Sequence, residues 1–340
     1  MATIKDVAKL AGVSVATVSR VINQSPKAGA ESVRAVQAAM KELAYRPNAA
    51  ARALVSQSSD IVGVLVGDVS DPFFGSLVKA ADEVAHQHGK HLLIGNGYHR
   101  QEDERRGIEL LMNSRCDACV IHAKALGDEE LRGYAAEMPS MVFINRIIPG
   151  LENRCVALDN RRGSQLATQY LLKQGHRHIA CLSSSHTIED STQRLAGYRD
   201  ALAEAGCELP DAYIAAGEPV AEGGEAAMSA ILSLSLPVTA VVAYNDFMAA
   251  GALSVIDANG LRAPEDISVI GFDDSMIARY IQPRLTTIRY PVDMMAQTAT
   301  QLALALASSQ TLPSSQTLPF CPPCYTPVLV LRHSVMSRFS

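Results

Sequence analysis

The run Thr3-Ile4-Lys5-Asp6-Val7-Ala8-Lys9-Leu10-Ala11-Gly12-Val13-Ser14-Val15-Ala16-Thr17-Val18-Ser19-Arg20-Val21-Ile22-Asn23 reads as two short helices joined by a tight turn. Thr3 and Asp6, three places apart, make a capping-box pairing at the start of the first helix. Ile4, Val7, Ala8 and Ala11 give that helix one apolar stripe. Gly12 stops it, because glycine takes a left-handed turn conformation at no steric cost. Ser14 is a good N-cap for a second helix to about Asn23, with Val15, Val18, Val21 and Ile22 at helical spacing. In a helix-turn-helix the second helix lies in the DNA major groove and its early residues meet base edges. Here these are Val15, Ala16 and Thr17, followed by Ser19 and Arg20. Arg20 can donate two hydrogen bonds to guanine O6 and N7, whereas Val15 and Ala16 offer only apolar contact, for instance to a thymine methyl. Ser14, Thr17 and the helix N-terminus suit phosphate.

Working outward, residues 23–26 form a turn around Pro26, and a third helix spans 31–43 with Val33, Val36, Met40 and Leu43 facing inward. Arg46-Pro47-Asn48 breaks the chain, and Asn48 can cap a short helix over 49–55 made almost entirely of Ala, Arg and Leu. From residue 61 the pattern changes to short apolar runs alternating with helical segments. The expected strands are 61–66, 91–94, 118–121, 141–144, 156–158, 178–182, 240–243, 268–271 and 285–288. Amphipathic stretches at 77–88, 104–115, 163–174, 193–205, 223–234 and 246–259 lie between them. Such alternation predicts parallel sheets covered by helices on both faces. The strands are too many for one compact sheet of this type, so two α/β lobes are expected. Ligands of such folds sit at the carboxyl ends of strands or in the crevice between lobes.

The composition agrees with this plan. The chain has 340 residues, 48% of them hydrophobic and 19% charged, enough to bury large cores and to exclude wholesale disorder. No apolar run reaches the ~18 residues of a membrane helix, and Asp6 stands where a signal peptide would be apolar, so a soluble, cytoplasmic protein with no membrane partner is expected. Residues 1–59 hold eight Lys and Arg against three acids, net +5, while the remainder is net −10. A basic head on an acidic body points the head at a polyanion. Seven cysteines, an odd number, argue against a secreted disulfide framework. Cys116/Cys119 and Cys321/Cys324 have C-x-x-C spacing, but some two hundred residues separate the pairs. They read as core or loop thiols rather than a zinc site. The hexapeptide Ser308-Ser-Gln-Thr-Leu-Pro313 is repeated directly as residues 314–319 and reads as a duplicated surface loop.

With these residues in place, the chain resembles the LacI/GalR family of bacterial repressors. The likeness rests on the opening run and on Tyr45-Arg-Pro-Asn48, Asp68-Val-Ser-Asp-Pro-Phe-Phe74, Ile144-Asn-Arg146, Arg194-Leu-Ala-Gly-Tyr198, Asn245-Asp-Phe-Met-Ala-Ala-Gly251, Ile270-Gly-Phe-Asp-Asp274 and Leu285-Thr-Thr-Ile-Arg-Tyr-Pro291. Val15-Ala16 and Leu93-Ile-Gly-Asn-Gly-Tyr-His99 are most similar to its galactose-responsive branch. The resemblance implies a helix-turn-helix DNA-binding head (1–46), a hinge helix and linker (47–59) and a two-lobed α/β body (60–340) of the kind found in periplasmic sugar-binding proteins. Its N-lobe would comprise about 60–160 and 291–324, its C-lobe about 161–290 and 325–340. It implies a nucleoid-associated homodimer on double-stranded, palindromic operator DNA, released by a galactose-like monosaccharide. Asn23, Asn48 and Arg52 join the candidate DNA contacts, and Leu54 matches the residue that wedges into the minor groove. No leucine heptads follow Ser334, so a dimer rather than a tetramer is expected.

The same resemblance places Asp71, Phe73, Phe74, Asn145 and Arg146 on one wall of a sugar cleft, and Arg194, Asn245, Asp273 and Tyr290 on the other. Aromatic rings stack on sugar C–H faces, and carboxylates and guanidinium forks take the hydroxyls. Gly217-Glu-Pro-Val220 departs from the pattern, since relatives often carry a second aromatic there. No metal or cofactor is expected. The alternative, a cytoplasmic sugar-processing enzyme or sensor with an accessory helical head, has little behind it. There is no G-x-S-x-G elbow, P-loop or H-E-x-x-H, and Gly95-Asn-Gly97 lacks the third glycine of a dinucleotide site.

Overall fold

The computed structural model describes residues 2–22, 25, 27–45, 59–308 and 324–339. Its contacts divide the chain into two units, Met1–Ser59 and Asp60–Ser340. The expected hinge helix, Asn23, Asn48, Arg52, Leu54, Cys321 and nearly all of the duplicated hexapeptide lie outside the described residues.

The first unit holds α1 (Ile4–Leu10), α2 (Val15–Ile22) and α3 (Ala30–Glu42). A reciprocal capping box starts α1: the Thr3 amide donates to Asp6 Oδ2 at 2.8 Å, and Thr3 Oγ1 accepts from the Asp6 amide. Gly12 takes φ +66° in the turn. Ser14 Oγ accepts the Thr17 amide at 3.1 Å and so satisfies one of the free amides opening α2. Val7, Ala8, Val18, Val21, Val36 and Ala39 are buried together as the core of this unit. Val15, although at helical spacing with Val18 and Ile22, is 40% exposed, because position 15 begins the helix on the side away from α1 and α3.

The second unit holds two six-stranded sheets. The N-lobe sheet has the order β11-β5-β4-β3-β1-β2, with β1 Ile61–Val66, β2 His91–Asn96, β3 Ala118–Ile121, β4 Met141–Ile144, β5 Cys155–Leu158 and β11 Cys324–Tyr325. The C-lobe sheet has the order β12-β10-β9-β8-β6-β7, with β6 Ile179–Ser184, β7 Ile214–Gly217, β8 Ala240–Ala243, β9 Ser268–Asp273, β10 Thr286–Arg289 and β12 Val328–Val330. Every pairing is parallel except β10 with β12. The helices in chain order are α4 (Pro72–Gln87), α5 (Gln101–Asn113), α6 (Asp128–Glu137), α7 (Asn160–Lys173), α8 (Glu189–Glu204), α9 (Ala221–Ser233), α10 (Asp246–Ala258), α11 (Met276–Tyr280) and α12 (Val292–Ala307). The chain leaves the N-lobe after β5, returns after β10 through α12, which packs on α4 and on β3–β5, and crosses again between β11 and β12.

Five of the body helices begin two to five residues earlier than their apolar spacing predicts. In α4 the cause is local: Asp71 Oδ1 accepts the Phe73 amide at 2.9 Å and Pro72 fills the first helical position, where a missing amide costs nothing. β7 has no continuous apolar pattern and exists because β6 supplies its ladder.

Candidate functional site

In the head, the face of α2 opposite Val18 and Val21 carries the expected DNA contacts. Ser14, Val15, Ala16 and Arg20 are exposed, and Thr17 and Ser19 are half-buried. Thr17 Oγ1 also lies 2.9 Å from Ser14 Oγ, which puts two hydroxyls beside the amides that open the helix. A small apolar pair flanked by hydroxyls and a guanidinium is a surface that can approach base edges closely.

In the body, a crevice opens at the carboxyl ends of β1–β4 on one side and of β6, β8, β9 and β10 on the other. Eight of the nine expected cleft residues line it: Asp71, Phe73, Phe74, Asn145, Arg194, Asn245, Asp273 and Tyr290. Arg146 does not. Its guanidinium donates to the carbonyls of Ala123 (3.0 Å) and Leu126 (2.8 Å) and pairs with Asp128 at 2.8 Å, so it is held within the N-lobe. Asn245 is partly committed as well: its Oδ1 accepts the Met248 amide at 2.8 Å to cap α10, and its Nδ2 donates to Pro219 O.

Arg194 is the centre of the C-lobe wall. It lies over the Phe272 ring at 3.7 Å and the Tyr244 ring at 4.5 Å. It donates to Asn160 Oδ1 at 2.8 Å and Tyr244 O at 2.6 Å, and its Nη2 stands 3.6 Å from Asp273 Oδ1. Phe73 meets Phe74 and Tyr290 edge-on, at 5.2 and 4.9 Å between centroids. Three wall residues hold left-handed backbone: His99 (φ +51°), Asn145 (+59°) and Asp273 (+112°). Such conformations persist where the surroundings over-determine them, and they concentrate at ligand sites.

Four buried side-chain atoms among the described residues have no hydrogen-bond partner: His99 Nδ1, His122 Nδ1, Asn145 Oδ1 and Tyr290 OH. All four residues line this one crevice. A larger cavity, about 570 Å³, lies on the C-lobe among Leu253, Arg262 and Ile281, and none of the four residues lines it. Orphaned buried polar atoms are costly, so their convergence marks a place where a polar ligand completes the structure.

The helix-turn-helix head and the part of the body from residue 168 onward each match a known family model. Residues 3–48 match the bacterial regulatory proteins of the lacI family, and residues 168–335 match a periplasmic binding protein-like domain. The chain is 55% identical over 335 residues to the HTH-type transcriptional regulator GalR of Escherichia coli K12, covering 98% of this chain and 96% of that one. It is 52% identical to the regulator GalS of Salmonella typhimurium, covering 99% and 98%. Among solved structures, a lac repressor dimer bound to operator and the anti-inducer ONPF superposes with TM-score 0.81 at 28% identity, covering 99% of both chains. The chain belongs to the LacI family of bacterial regulatory proteins. It is a DNA-binding transcriptional repressor with a sugar-responsive body.

Within this LacI-family body the crevice also holds residues that were not among the expected cleft residues: His99, His122, His186, Asp190, Tyr244 and Phe247. Tyr244 and Phe247 supply aromatic surface on the C-lobe side, where Gly217-Glu-Pro-Val220 has none. His122 directly follows β3, and His186 and His99 follow β6 and β2 by two and three residues. Position at the carboxyl end of a strand was the available signal. The His99 ring faces those of His122 and His186 at 5.6 and 5.4 Å. Burial, and next the neighbouring His186, push His99 down to about 4, and burial lowers His122 further, so both are neutral at pH 7.

The lobes are also tied by charge. Lys124, from the N-lobe, pairs with Asp190 of α8 at 2.7 Å and donates to the Asn145 carbonyl. Asn145 Nδ2 donates to the other Asp190 oxygen at 2.7 Å. Burial opposes the Asp190 charge, but Lys124 and Arg194 outweigh it and hold the carboxyl below its ordinary range. Burial raises Asp273 well above that range despite Arg194, and burial likewise raises Asp71. These two carboxyls gain when hydroxyl donors arrive.

Proposed function

We propose that the protein binds a palindromic operator as a homodimer, through Ser14, Val15, Ala16, Thr17, Ser19 and Arg20 of each head, and releases it when a galactose-like monosaccharide enters the interlobe crevice. Asn23, Asn48, Arg52 and Leu54 extend the DNA contact on the strength of the family likeness. The observation that carries the sugar reading is the convergence of the four orphaned polar atoms on one crevice with Asp71, Asp273 and Arg194. A hydroxyl both donates and accepts, so a polyhydroxylated ring can pair with an amide oxygen, a phenol, neutral imidazoles and carboxyls at once. Phe73, Phe74, Tyr244 and Phe247 offer ring surface to its C–H faces. D-galactose is the sugar favoured by the likeness to GalR and GalS.

The crevice walls belong to both lobes, so the sugar discriminates between lobe arrangements. A ligand shifts such an equilibrium only by its difference in affinity for the two states. The body is read as a binder: its crevice presents unpaired polar atoms and carboxyls to a ligand, in line with the transcriptional regulators the chain is similar to. Operator binding places the protein's work in the cytoplasm, at the nucleoid. Calorimetric titration with D-galactose, repeated with saturating operator, tests the reading. Heat of binding that weakens with operator present is expected; no heat removes the sugar assignment, and tighter binding with operator reverses the sign of the switch.

A further inference from the structure

Outside the crevice, the C-x-x-C pair of the N-lobe has a definite geometry. Cys116 stands at the turn between α5 and β3, and Cys119 is the second residue of β3, opposite Gly63 of β1. A Cβ built on Gly63 would lie 2.8 Å from Cys119 Sγ and 3.1 Å from Cys116 Sγ. The two sulfurs therefore converge on the space that the missing side chain leaves open. Both cysteines are buried, Cys119 completely and Cys116 with 7% of its surface exposed.

We propose that Cys116 and Cys119 form a reversible dithiol–disulfide site, oxidised by hydrogen peroxide. Cys116 keeps a small exposed surface and Cys119 keeps none, so a solvent oxidant reaches the Cys116 sulfur first. This difference in exposure assigns the order of events. The Cys116 sulfur attacks one peroxide oxygen, the O–O bond breaks, and Cys116 becomes a sulfenic acid while the first water leaves. Cys119 Sγ then attacks the Cys116 sulfur, the S–O bond breaks, and the departing hydroxide takes the Cys119 proton as a second water. Two thiols and one peroxide thus give one disulfide and two waters. β3 leads from this pair to His122 and Lys124 at the crevice, so the modification sits on a strand that positions the ligand wall.

The sequence supplies a clean readout. Trypsin cuts after Arg115 and Lys124, releasing residues 116–124 with both cysteines and no other. The native full-length protein is treated with peroxide at the dose that oxidises half of the more exposed Cys207, then denatured, blocked with iodoacetamide and digested. The expected peptide has lost two hydrogens, carries no alkyl group, and regains two alkylatable thiols after dithiothreitol. In Cys119→Ser the reaction should stop at a Cys116 sulfenic acid that dimedone traps. Full alkylation of both cysteines at that dose, or sulfinic acid on either without the disulfide, overturns the proposal.

Discussion

The Arg194 guanidinium and the Asp273 carboxyl lie 3.6 Å apart and both line the crevice, where each can pair with a sugar hydroxyl. Losing a hydrogen bond to a charged partner costs about 1.5–3 kcal/mol. Arg194→Ala or Asp273→Ala should therefore weaken D-galactose binding roughly tenfold to a hundredfold by calorimetry while operator affinity without sugar stays within twofold. Equal losses in both assays would mean that the residues serve folding and not recognition. Arg20→Ala should cost about 1–3 kcal/mol of discrimination at one guanine per half-site, read by competition between operator variants. His99 makes a pH prediction. Its folded value is depressed to about 4, below the ordinary 6.5. As the pH falls through 6.5 the unfolded chain takes up a proton that the folded chain refuses, so stability is present above 6.5 and is lost down to about 4. The loss is up to about 3 kcal/mol. Urea unfolding at several pH values should show this slope, and His99→Phe should make it shallower; an unchanged slope would assign it to other groups.

At the scale of elements, Asp71 has two duties that can be separated. Its carboxylate caps α4, and it faces the crevice. Asparagine caps a helix about as well as aspartate, whereas alanine costs about 1 kcal/mol. Asp71→Asn should keep the thermal midpoint of the wild-type chain and lose sugar affinity, and Asp71→Ala should lose both. If the two variants melt alike and bind alike, neither duty is carried by the carboxylate. The same combination of roles explains why Asn245 is ambiguous in the sequence: a residue at the start of a helix that follows a strand is both a cap and part of the strand-end surface where ligands sit.

For the whole molecule, the separation of charge and the coupling of sites give distinct signatures. The head is basic and the body acidic. Operator affinity should fall steeply between 50 and 200 mM salt as phosphate counterions are released, and by about 10³–10⁵ if six or more phosphates are contacted. Galactose affinity should hardly change over that range, because its partners are buried and its ligand is neutral. Coupling must be reciprocal: the factor by which sugar weakens operator binding equals the factor by which operator weakens sugar binding. Titrations in both orders that disagree would show that a third state or an oligomerisation step intervenes.

The head was legible residue by residue because its determinants are local. A capping box, a glycine turn and a four-residue stripe each act within one turn of helix, and the same residues appear as the cap, the φ +66° turn and the core. The buried strands of the parallel sheets were legible for a related reason: covered on both faces, β1, β3, β4 and β8 are continuous apolar runs and stand at 61–66, 118–121, 141–144 and 240–243 as read. β7 was not, since an edge strand with Ile-Ala-Ala-Gly is defined by its neighbour's hydrogen bonds and not by its own pattern. The crevice divides the same way. Aromatics and acids next to strand ends were visible as types, but only the packed lobes determine where each side chain is used. Arg146 and Asn145 are adjacent in sequence, yet the first is held by Asp128 and two carbonyls while the second turns into the crevice. His122 and His186 lie outside every quoted stretch and His99 ends one with no role attached, while the neutrality of His99 and His122 comes from burial that only the folded chain supplies. Local sequence determined the elements and the kinds of chemistry available; long-range packing decided which groups were left without partners, and so where the ligand belongs.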